Sequence, residues 1–256
     1  MDNDHLILGI DVGGTGIKGG LVNVLTGEMA TERHRILTPQ PATPKAVAAT
    51  VKGLIDKFDY RGPIGVGFPA IVQRGVARSA ANVSDKWIGT NIEELFAEAT
   101  GTGPVYALND ADAAGIADVT FGAGKDRPGE TILLLTLGTG IGSALFVDGK
   151  IVPNTELGHL YLRNHQSDAE RYVSNARRKE NDWPWSKFGK RLNKYLEHVE
   201  GLFSPDLIII GGGVSKSFDK FSDEIEVNTE VVPAKLLNAA GTIGAAMYAY
   251  QRNKAS

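Results

Sequence analysis

Cysteine is absent from the 256-residue sequence, and this absence excludes several kinds of chemistry. A chain without thiols has no disulfides, no thiolate nucleophile, no iron–sulfur cluster and no zinc site that needs sulfur ligands. We therefore predict a cytoplasmic protein without structural zinc. The start of the chain agrees with that location, because it lacks the basic segment and the longer apolar stretch of a secretory signal.

Long apolar runs and a strong excess of charge are also missing. No segment approaches the roughly 20 apolar residues of a membrane helix, so we expect no membrane partner. The formal net charge of −3 gives no general attraction to nucleic acid, and we predict no nucleic-acid partner. For the same reason, any anionic ligand must be held by a local motif. With 42% hydrophobic residues the chain can bury a large core, in one domain or in two lobes.

Two stretches repeat one pattern of apolar strand, glycine-rich turn, second strand and tight turn. The first begins at Leu6 and the second at Thr131. An internal repeat of this kind predicts two similar α/β lobes, although two such hairpins could also have arisen independently. We place a small first lobe at 1–108, completed by a C-terminal helix at 239–251, and a larger second lobe at 109–238.

Helical periodicity predicts helices at 44–58, 189–203 and 239–250. A polar tail is expected after them, at 252–256.

Glycine turns follow three of the apolar strands. Backbone N–H groups in such turns can surround a phosphate, and glycine permits the close approach. The first turn contains Gly14-Thr15-Gly16-Ile17-Lys18-Gly19, which has the spacing of a dinucleotide-binding motif. That motif requires a following helix, whereas this sequence continues with a strand-like stretch and a hairpin turn. The pattern therefore favours a phosphate-binding turn between two strands.

Asp110 is the candidate for a catalytic base. Phosphoryl transfer depends on positioning and charge stabilisation, with a carboxylate that accepts the proton of the attacking hydroxyl. Asp110 also precedes an alanine-rich segment, where asparagine and aspartate commonly serve as helix N-caps. The residue taken alone leaves both roles open.

Five motifs, in order along nearly the whole chain, resemble those of the ROK sugar kinases in the hexokinase/actin superfamily. They are Asp11-Val12-Gly13-Gly14-Thr15, Asn109-Asp110-Ala111-Asp112, Leu137-Gly138-Thr139-Gly140-Ile141-Gly142, Glu156-Leu157-Gly158-His159 and Ile210-Gly211-Gly212-Gly213-Val214. The resemblance implies a two-lobed α/β fold of the hexokinase/actin-like (ribonuclease H-like) type, with the active site in the interlobe cleft. It departs from the family in one respect, because the cysteine cluster that binds zinc in many ROK proteins is missing.

The resemblance also implies roles for individual residues. Asp110 would be the catalytic base, and Asp11 would bind Mg²⁺ through water. The sugar would be bound by Asn82, Asn109, Asp110, Glu156 and His159. The donor phosphates would be bound by Asp11, Gly13, Gly14, Thr15, Lys18, Gly138, Thr139, Gly140, Gly142, Gly211, Gly212 and Gly213. From the residues alone, Asn82 could equally be an ordinary loop residue, His159 a packed histidine and Lys18 a strand-edge lysine.

A basic helix face bears on the identity of the donor. Lys187, Lys190, Arg191 and Lys194 have helical spacing and lie opposite an apolar stripe, so they could hold an extended polyanion. Such a face is also typical of ordinary surface helices. The surrounding segment resembles the polyphosphate glucokinases and polyphosphate/ATP glucomannokinases of the ROK family. This implies phosphorylation of glucose, and also mannose, at the 6-hydroxyl, with inorganic polyphosphate and also ATP as donors.

Two other functions are left open by the sequence. One is an ATP-only glucokinase of the same family. The other is a sugar sensor that keeps the fold without catalysis, against which the presence of Asp110 argues. The sequence does not distinguish a monomer from a homodimer.

Overall fold

The computed structural model describes residues 5–255, and the chain divides into two compact units. Unit 1 comprises 1–117 and 239–256, and unit 2 comprises 118–238. In chain order the strands are β1 (Leu6–Val12), β2 (Ile17–Asn23), β3 (Glu28–Met29), β4 (His34–Ile36), β5 (Ile64–Phe68), β6 (Val72–Gln73), β7 (Val76–Ala77), β8 (Val105–Asn109), β9 (Thr131–Leu137), β10 (Ile141–Val147), β11 (Lys150–Val152), β12 (Leu207–Gly211) and β13 (Glu230–Pro233). The helices are α1 (Pro44–Ile55), α2 (Ile92–Thr100), α3 (Asp110–Phe121), α4 (Ala169–Val173), α5 (Asn175–Glu180), α6 (Trp185–Phe203) and α7 (Ala240–Ala255).

The two main sheets share one plan, as the internal repeat predicts. The sheet of unit 1 has the order β3-β2-β1-β5-β8, with β4 also paired to β2, and the sheet of unit 2 has the order β11-β10-β9-β12-β13. In each, a hairpin of two antiparallel strands continues into strands that run parallel to the first one. Such mixed sheets leave the carboxyl ends of their parallel strands at one edge, where α/β proteins bind their ligands.

Helix α7 belongs to unit 1 because glycines on its own surface and on the sheet let it approach closely. A Cβ atom built on Gly65 of β5 would lie 1.8 Å from the carbonyl oxygen of Ala245, and one on Gly9 of β1 would lie 1.9 Å from that of Thr242. On the other side, a Cβ on Gly244 would lie 1.7 Å from the carbonyl oxygen of Ala113 in α3. This contact keeps the start of α3 with unit 1, which continues through Ala117, whereas the expected first lobe ended at residue 108.

Three helix predictions need correction at their ends. Helix α1 ends at Ile55, before the predicted 58, and α6 begins at Trp185, before the predicted 189. The polar tail predicted at 252–256 was wrong for 252–255, because α7 runs through Ala255. Residue 256 lies outside the described residues.

Each unit has its own apolar core. In unit 1, Trp87 is fully buried and its indole N–H donates to the carbonyl oxygen of Ala42 at 2.9 Å, which anchors the loop that carries Asn82. In unit 2, Phe188, Leu192 and Tyr195 of α6 pack into the core beneath the sheet. Among residues 5–255, no helix combines the length and the apolar character needed to cross a membrane.

Candidate active site

The first glycine turn joins β1 to β2. The amide of Gly13 donates to the carbonyl oxygen of Gly16 at 3.1 Å. Side chains beyond β4 bind two further carbonyls of the turn: the Thr38 hydroxyl donates to the oxygen of Gly13, and Gln40 Nε2 donates to that of Gly14 at 3.3 Å. Because a strand follows the glycines, the dinucleotide-binding alternative is excluded.

Asp11 ends up beside this turn, paired with Lys18. The two residues are cross-strand neighbours, and Lys18 Nζ lies 2.8 Å from Asp11 Oδ2. The Asp11 carboxyl also lies near the start of α7, since a Cβ on Gly241 would be 3.0 Å from its Cγ. A helix N-terminus stabilises a nearby carboxylate. Lys18 lies on β2, between β1 and β4, so it is not on an edge strand.

The residues around Asp11 fit Mg²⁺. This ion binds beside phosphates through one or two carboxylates and keeps several waters. Asp11 offers one such carboxylate, only 16% exposed, next to a turn that is suited to phosphate. The match is to a water-mediated site, because the position supplies one carboxylate rather than a closed cage.

Asn109 and Asp110 occupy the junction of β8 and α3. Asn109 Oδ1 accepts hydrogen bonds from the amides of Ala111 at 2.8 Å and Asp112 at 3.2 Å, so Asn109 is the residue that caps the helix. Its side-chain amide donates to the carbonyl oxygen of Ala70 at 3.1 Å. Asp110 is partly exposed, and its Oδ1 accepts from the amide of Ala111 at 2.9 Å. Capping therefore does not explain a carboxylate at position 110.

Sheet register places these residues at one edge. Asp11 pairs with Gly67 of β5, and Gly67 pairs with Leu108 of β8. A Cβ on Gly67 would lie only 3.7 Å from the Cα of Asp110. The carboxyl ends of β1 and β8 thus bring Asp11, Asn109 and Asp110 into one region of unit 1.

Asn82 is exposed and packs against the first glycine turn. Its φ of 61° is left-handed, a conformation that asparagine tolerates better than most residues. A Cβ on Gly14 would lie 2.9 Å from the Cβ of Asn82. The predicted sugar-binding loop and the predicted phosphate-binding turn are therefore in direct contact.

In unit 2, the second and third glycine turns lie close to each other. The amide of Gly138 donates to the carbonyl oxygen of Gly140 at 3.0 Å, and the carbonyl oxygen of Gly138 accepts from the amide of Ala176 in α5 at 3.0 Å. Gly212 has a φ of +75°, and a Cβ there would lie 2.7 Å from the backbone of Leu137. Glycine is required at this position both by the dihedral and by the space. Thr139 is exposed in the second turn, and Gly142 pairs with Thr136 inside the sheet.

Glu156 and His159 lie at the two ends of a single helical turn. His159 Nε2 is 3.9 Å from Glu156 Oε2, and the His159 side chain is 61% exposed, so the packed-histidine alternative is excluded. The turn is held by Ser143 of β10, whose Oγ accepts from the amide of Leu157 at 3.0 Å. Burial raises the pKa of the Glu156 carboxyl above its usual value, while the neighbouring His159 lowers it and the carboxylate of Glu170 raises it.

Two acids of this cluster were missed by the sequence analysis. Glu170 Oε2 lies 3.4 Å from the amide nitrogen of Ile141, beside the second glycine turn, and Asp168 Oδ2 lies 3.9 Å from His159 Nδ1. Together with His159 they place ligand atoms within 4.8 Å of one another, close enough to hold a cation. The absence of structural zinc stays a prediction. No local sequence signal identifies Glu170, because its position depends on how α4 packs against α6 and against the turn at 157–159.

The predicted basic face of α6 is divided among different partners. The guanidinium of Arg191 lies 3.8 Å from the ring centroid of Tyr172 and 4.3 Å from that of Trp183, and its Nε donates to the carbonyl oxygen of Tyr172 at 2.8 Å. Lys187 Nζ is 5.3 Å from the ring centroid of Trp183. Lys190 Nζ instead lies 3.8 Å from a carboxylate oxygen of Glu224. The four cations therefore do not form a row of equivalent charges.

Comparison with known proteins gives consistent matches. A sequence model described as the ROK family matches residues 7–170. A polyphosphate glucokinase from Mycobacterium tuberculosis is 49% identical over 239 residues, which span 93% of this chain and 89% of the relative.

Solved structures show the same relationship. The inorganic polyphosphate/ATP-glucomannokinase from Arthrobacter sp. strain KM matches with a TM-score of 0.90 and 46% identity, covering 96% of this chain and 99% of that one. A ROK family glucokinase from Streptomyces griseus, solved with glucose and AMPPNP, matches with a TM-score of 0.82 over 96% of this chain and 99% of that one. Its identity is 22%, so this second likeness concerns the fold alone.

Proposed function

Because the chain belongs to the ROK family, we propose that it phosphorylates glucose at the 6-hydroxyl, with inorganic polyphosphate and also ATP as phosphoryl donors. The observation that carries this proposal is the 49% identity to a polyphosphate glucokinase over 93% of the chain. The glucomannokinase match supports the use of both donors and adds mannose as a further substrate. Family membership also confirms the predicted α/β fold of the hexokinase-like sugar kinases.

Asp110 is the proposed general base. Its carboxylate accepts the proton of the sugar 6-hydroxyl while that oxygen attacks the terminal phosphorus of the donor. The bond between the terminal phosphorus and its bridging oxygen breaks, and the shortened donor leaves with the electron pair. The support is its place at the carboxyl end of β8, next to a cap that Asn109 already supplies.

Asp11 is the residue proposed to hold Mg²⁺ through water. When bound, this ion offsets the negative charge of the donor phosphates. In the described structure Lys18 neutralises Asp11, and both side chains are next to the first glycine turn. We propose that Lys18 turns toward phosphate oxygens when a donor is present.

Asn82, Asn109 and Asp110 are proposed to bind hexose hydroxyls. Glu156 and His159 form a second group that is proposed to do the same. Glu170 joins this second group, because it shares the same cluster of polar side chains. Carboxylates accept hydrogen bonds from hydroxyl groups, and a site built on such bonds discriminates strongly against sugars that lack the matching hydroxyl.

The donor phosphates are proposed to be bound by the three glycine turns. The turns at 13–16, 138–142 and 211–213 offer backbone N–H donors, and Thr15 and Thr139 offer hydroxyl groups. The glycines leave room for a phosphate that bulky side chains would keep away. Lys187, Lys190, Arg191 and Lys194 are proposed to bind donor phosphates farther along the chain.

The donor assignment is tested by measuring glucose 6-phosphate formed by purified protein with Mg²⁺, in parallel with nucleotide-free polyphosphate and with ATP. We expect turnover with both donors. Turnover with ATP alone would overturn the polyphosphate assignment and leave an ATP-dependent glucokinase. The absence of turnover with either donor would overturn the kinase assignment and favour a sugar sensor.

Acidification should weaken glucose binding at a higher pH than it would if Glu156 had an ordinary pKa. Because burial raises the pKa of Glu156, this carboxyl takes up a proton above the usual glutamate pKa of about 4.3, and the neutral form accepts hydrogen bonds less strongly. Titration calorimetry of glucose should show the dissociation constant rising before the pH has fallen to that usual value. In Glu156→Gln, which carries no titrating group there, binding should be weaker at neutral pH and should lose this pH dependence. An identical pH profile in the variant would contradict the role of Glu156.

A further inference from the structure

An open cavity of about 580 Å³ lies on unit 2, between the loop at 162–165 and helix α6. Its lining is rich in basic groups and is completed by one acid, one amide and one apolar residue: Arg163, His165, Lys194 and His198, with Glu197, Asn164 and Leu162. The acid, Glu197, accepts a hydrogen bond from the side-chain amide of Asn193 at 2.8 Å, which holds its carboxylate in place. Apart from Lys194, none of the lining residues has a place in the active site described above.

Contacts of cations and rings connect this cavity to the second glycine turn. Helix α5, whose Ala176 amide binds the carbonyl oxygen of Gly138, carries Arg178. Arg178 Nη1 donates to the carbonyl oxygen of Trp183 at 3.4 Å, and its guanidinium lies 3.9 Å from the ring centroid of Trp185. The path therefore starts at a proposed donor turn and reaches the beginning of α6.

From Trp183 the path continues through Arg191 to the cavity. The Arg191 guanidinium lies over the rings of both Trp183 and Tyr172. The ring of Tyr172 in turn lies 4.4 Å, centroid to centroid, from that of His165, which lines the cavity. Basic side chains thus follow one another from the donor turn to the cavity.

The charge of Arg191 is only partly compensated. Its partners are two aromatic rings and a backbone carbonyl, and no carboxylate among residues 5–255 forms an ion pair with it. Partial burial lowers the pKa of its guanidinium, since withdrawal from water disfavours the charged form. A cation in this condition gains from an anionic ligand, and the flanking rings hold it in a defined position for one.

We propose that the cavity lined by Arg163, His165 and Lys194 is a remote subsite that binds the distal phosphates of a long polyphosphate chain. This inference rests on the proposed function. The subsite separates donors by length. The seven residue-to-residue steps of α6 from Lys187 to Lys194 span roughly 10 Å along the helix axis, in addition to the path along α5. The triphosphate of ATP ends at the donor turns, whereas long-chain polyphosphate carries a charge at every repeat and continues along the path.

The test compares wild type with the double variant Arg163→Gln/His198→Gln on three donors: long-chain polyphosphate, tripolyphosphate and ATP. Loss of one exposed cation and one ring N–H donor from the cavity should lower kcat/KM for long-chain polyphosphate about fivefold and leave the other two donors unchanged. Lys150→Gln, which removes an exposed charge from the first residue of β11, is the matched control and should leave all three donors unchanged. The same comparison is made for binding in Asp110→Asn protein. Adding the double substitution to this protein should weaken its binding of long-chain polyphosphate by the same factor.

The outcomes separate this inference from the proposed function. If wild type uses long-chain polyphosphate and the double variant uses it equally well, the remote subsite is overturned and the proposed function stands. Equal losses with all three donors would also overturn the subsite, because they would indicate damage to the fold or to the active site. If wild type does not use polyphosphate at all, the remote subsite and the polyphosphate part of the proposed function are both overturned.

Discussion

Replacement of Asp110 by asparagine should lower kcat about 10²- to 10⁴-fold with either donor, the range that general acid–base catalysis contributes. Asparagine keeps an oxygen that can accept the hydrogen bond from the amide of Ala111, so the start of α3 should remain intact. It cannot accept the proton of the sugar hydroxyl. The measurement is steady-state formation of glucose 6-phosphate with polyphosphate and with ATP, together with glucose affinity by calorimetry.

The control for this substitution is Asp126→Asn, which removes an exposed carboxylate from the loop between α3 and β9. It should leave kcat unchanged. A role in sugar binding alone would give a different result for Asp110→Asn, namely a raised KM for glucose with kcat largely preserved. That result would remove Asp110 as the base and return it to the group of sugar ligands.

Replacement of Gly65 by alanine should destabilise unit 1 by about 3 kcal/mol or more, at the upper end of overpacking effects. The added Cβ would lie 1.8 Å from the carbonyl oxygen of Ala245, a backbone atom of α7 that cannot move without displacing the helix from the sheet. Chemical denaturation should show a lower midpoint. Limited proteolysis should show earlier cleavage near the C-terminus, because α7 is the element displaced.

Gly53→Ala is the matched control, since it makes the same chemical change where there is room. Gly53 is exposed in α1, and a Cβ there would have no atom within 4 Å apart from its two neighbouring residues and the backbone of its own helix. Alanine is preferred over glycine in a helix by about 0.5–1 kcal/mol, so this variant should be slightly more stable than wild type. Similar destabilisation by both substitutions would contradict the close-packing explanation for α7.

Much of the local structure could be predicted because it is set by neighbouring residues. The first repeat begins with a strand at Leu6 and the second with a strand at Thr131, as the pattern predicts, and a tight turn separates β10 from β11. The helix ends were less accurate, since propensity does not decide where a helix stops. Arg252 and Lys254 look like a polar tail in the sequence, yet they continue α7, because a helix already packed on a sheet extends at little cost.

The candidate site divides in the same way. Asp11, the glycine turns and Asp110 could be proposed from motifs because each motif consists of residues next to one another in the chain. The choice of Asn109 rather than Asp110 as the helix cap required the structure, since both residue types are good caps at adjacent positions. Glu170 could not be predicted, because it reaches Ile141 through the packing of α4.

The sequence by itself determined the repeated strand–turn–strand pattern, the positions of the three glycine turns and the family to which they point, because all of these depend on order and spacing along the chain. Only the tertiary structure decided which partners the basic side chains of α6 receive. Periodicity places Lys190 and Arg191 on one helix face. In the structure Lys190 lies near Glu224, whereas Arg191 binds Tyr172, and these two partners come from segments far apart in the chain. Spacing defines a face of a helix, and packing defines what that face contacts.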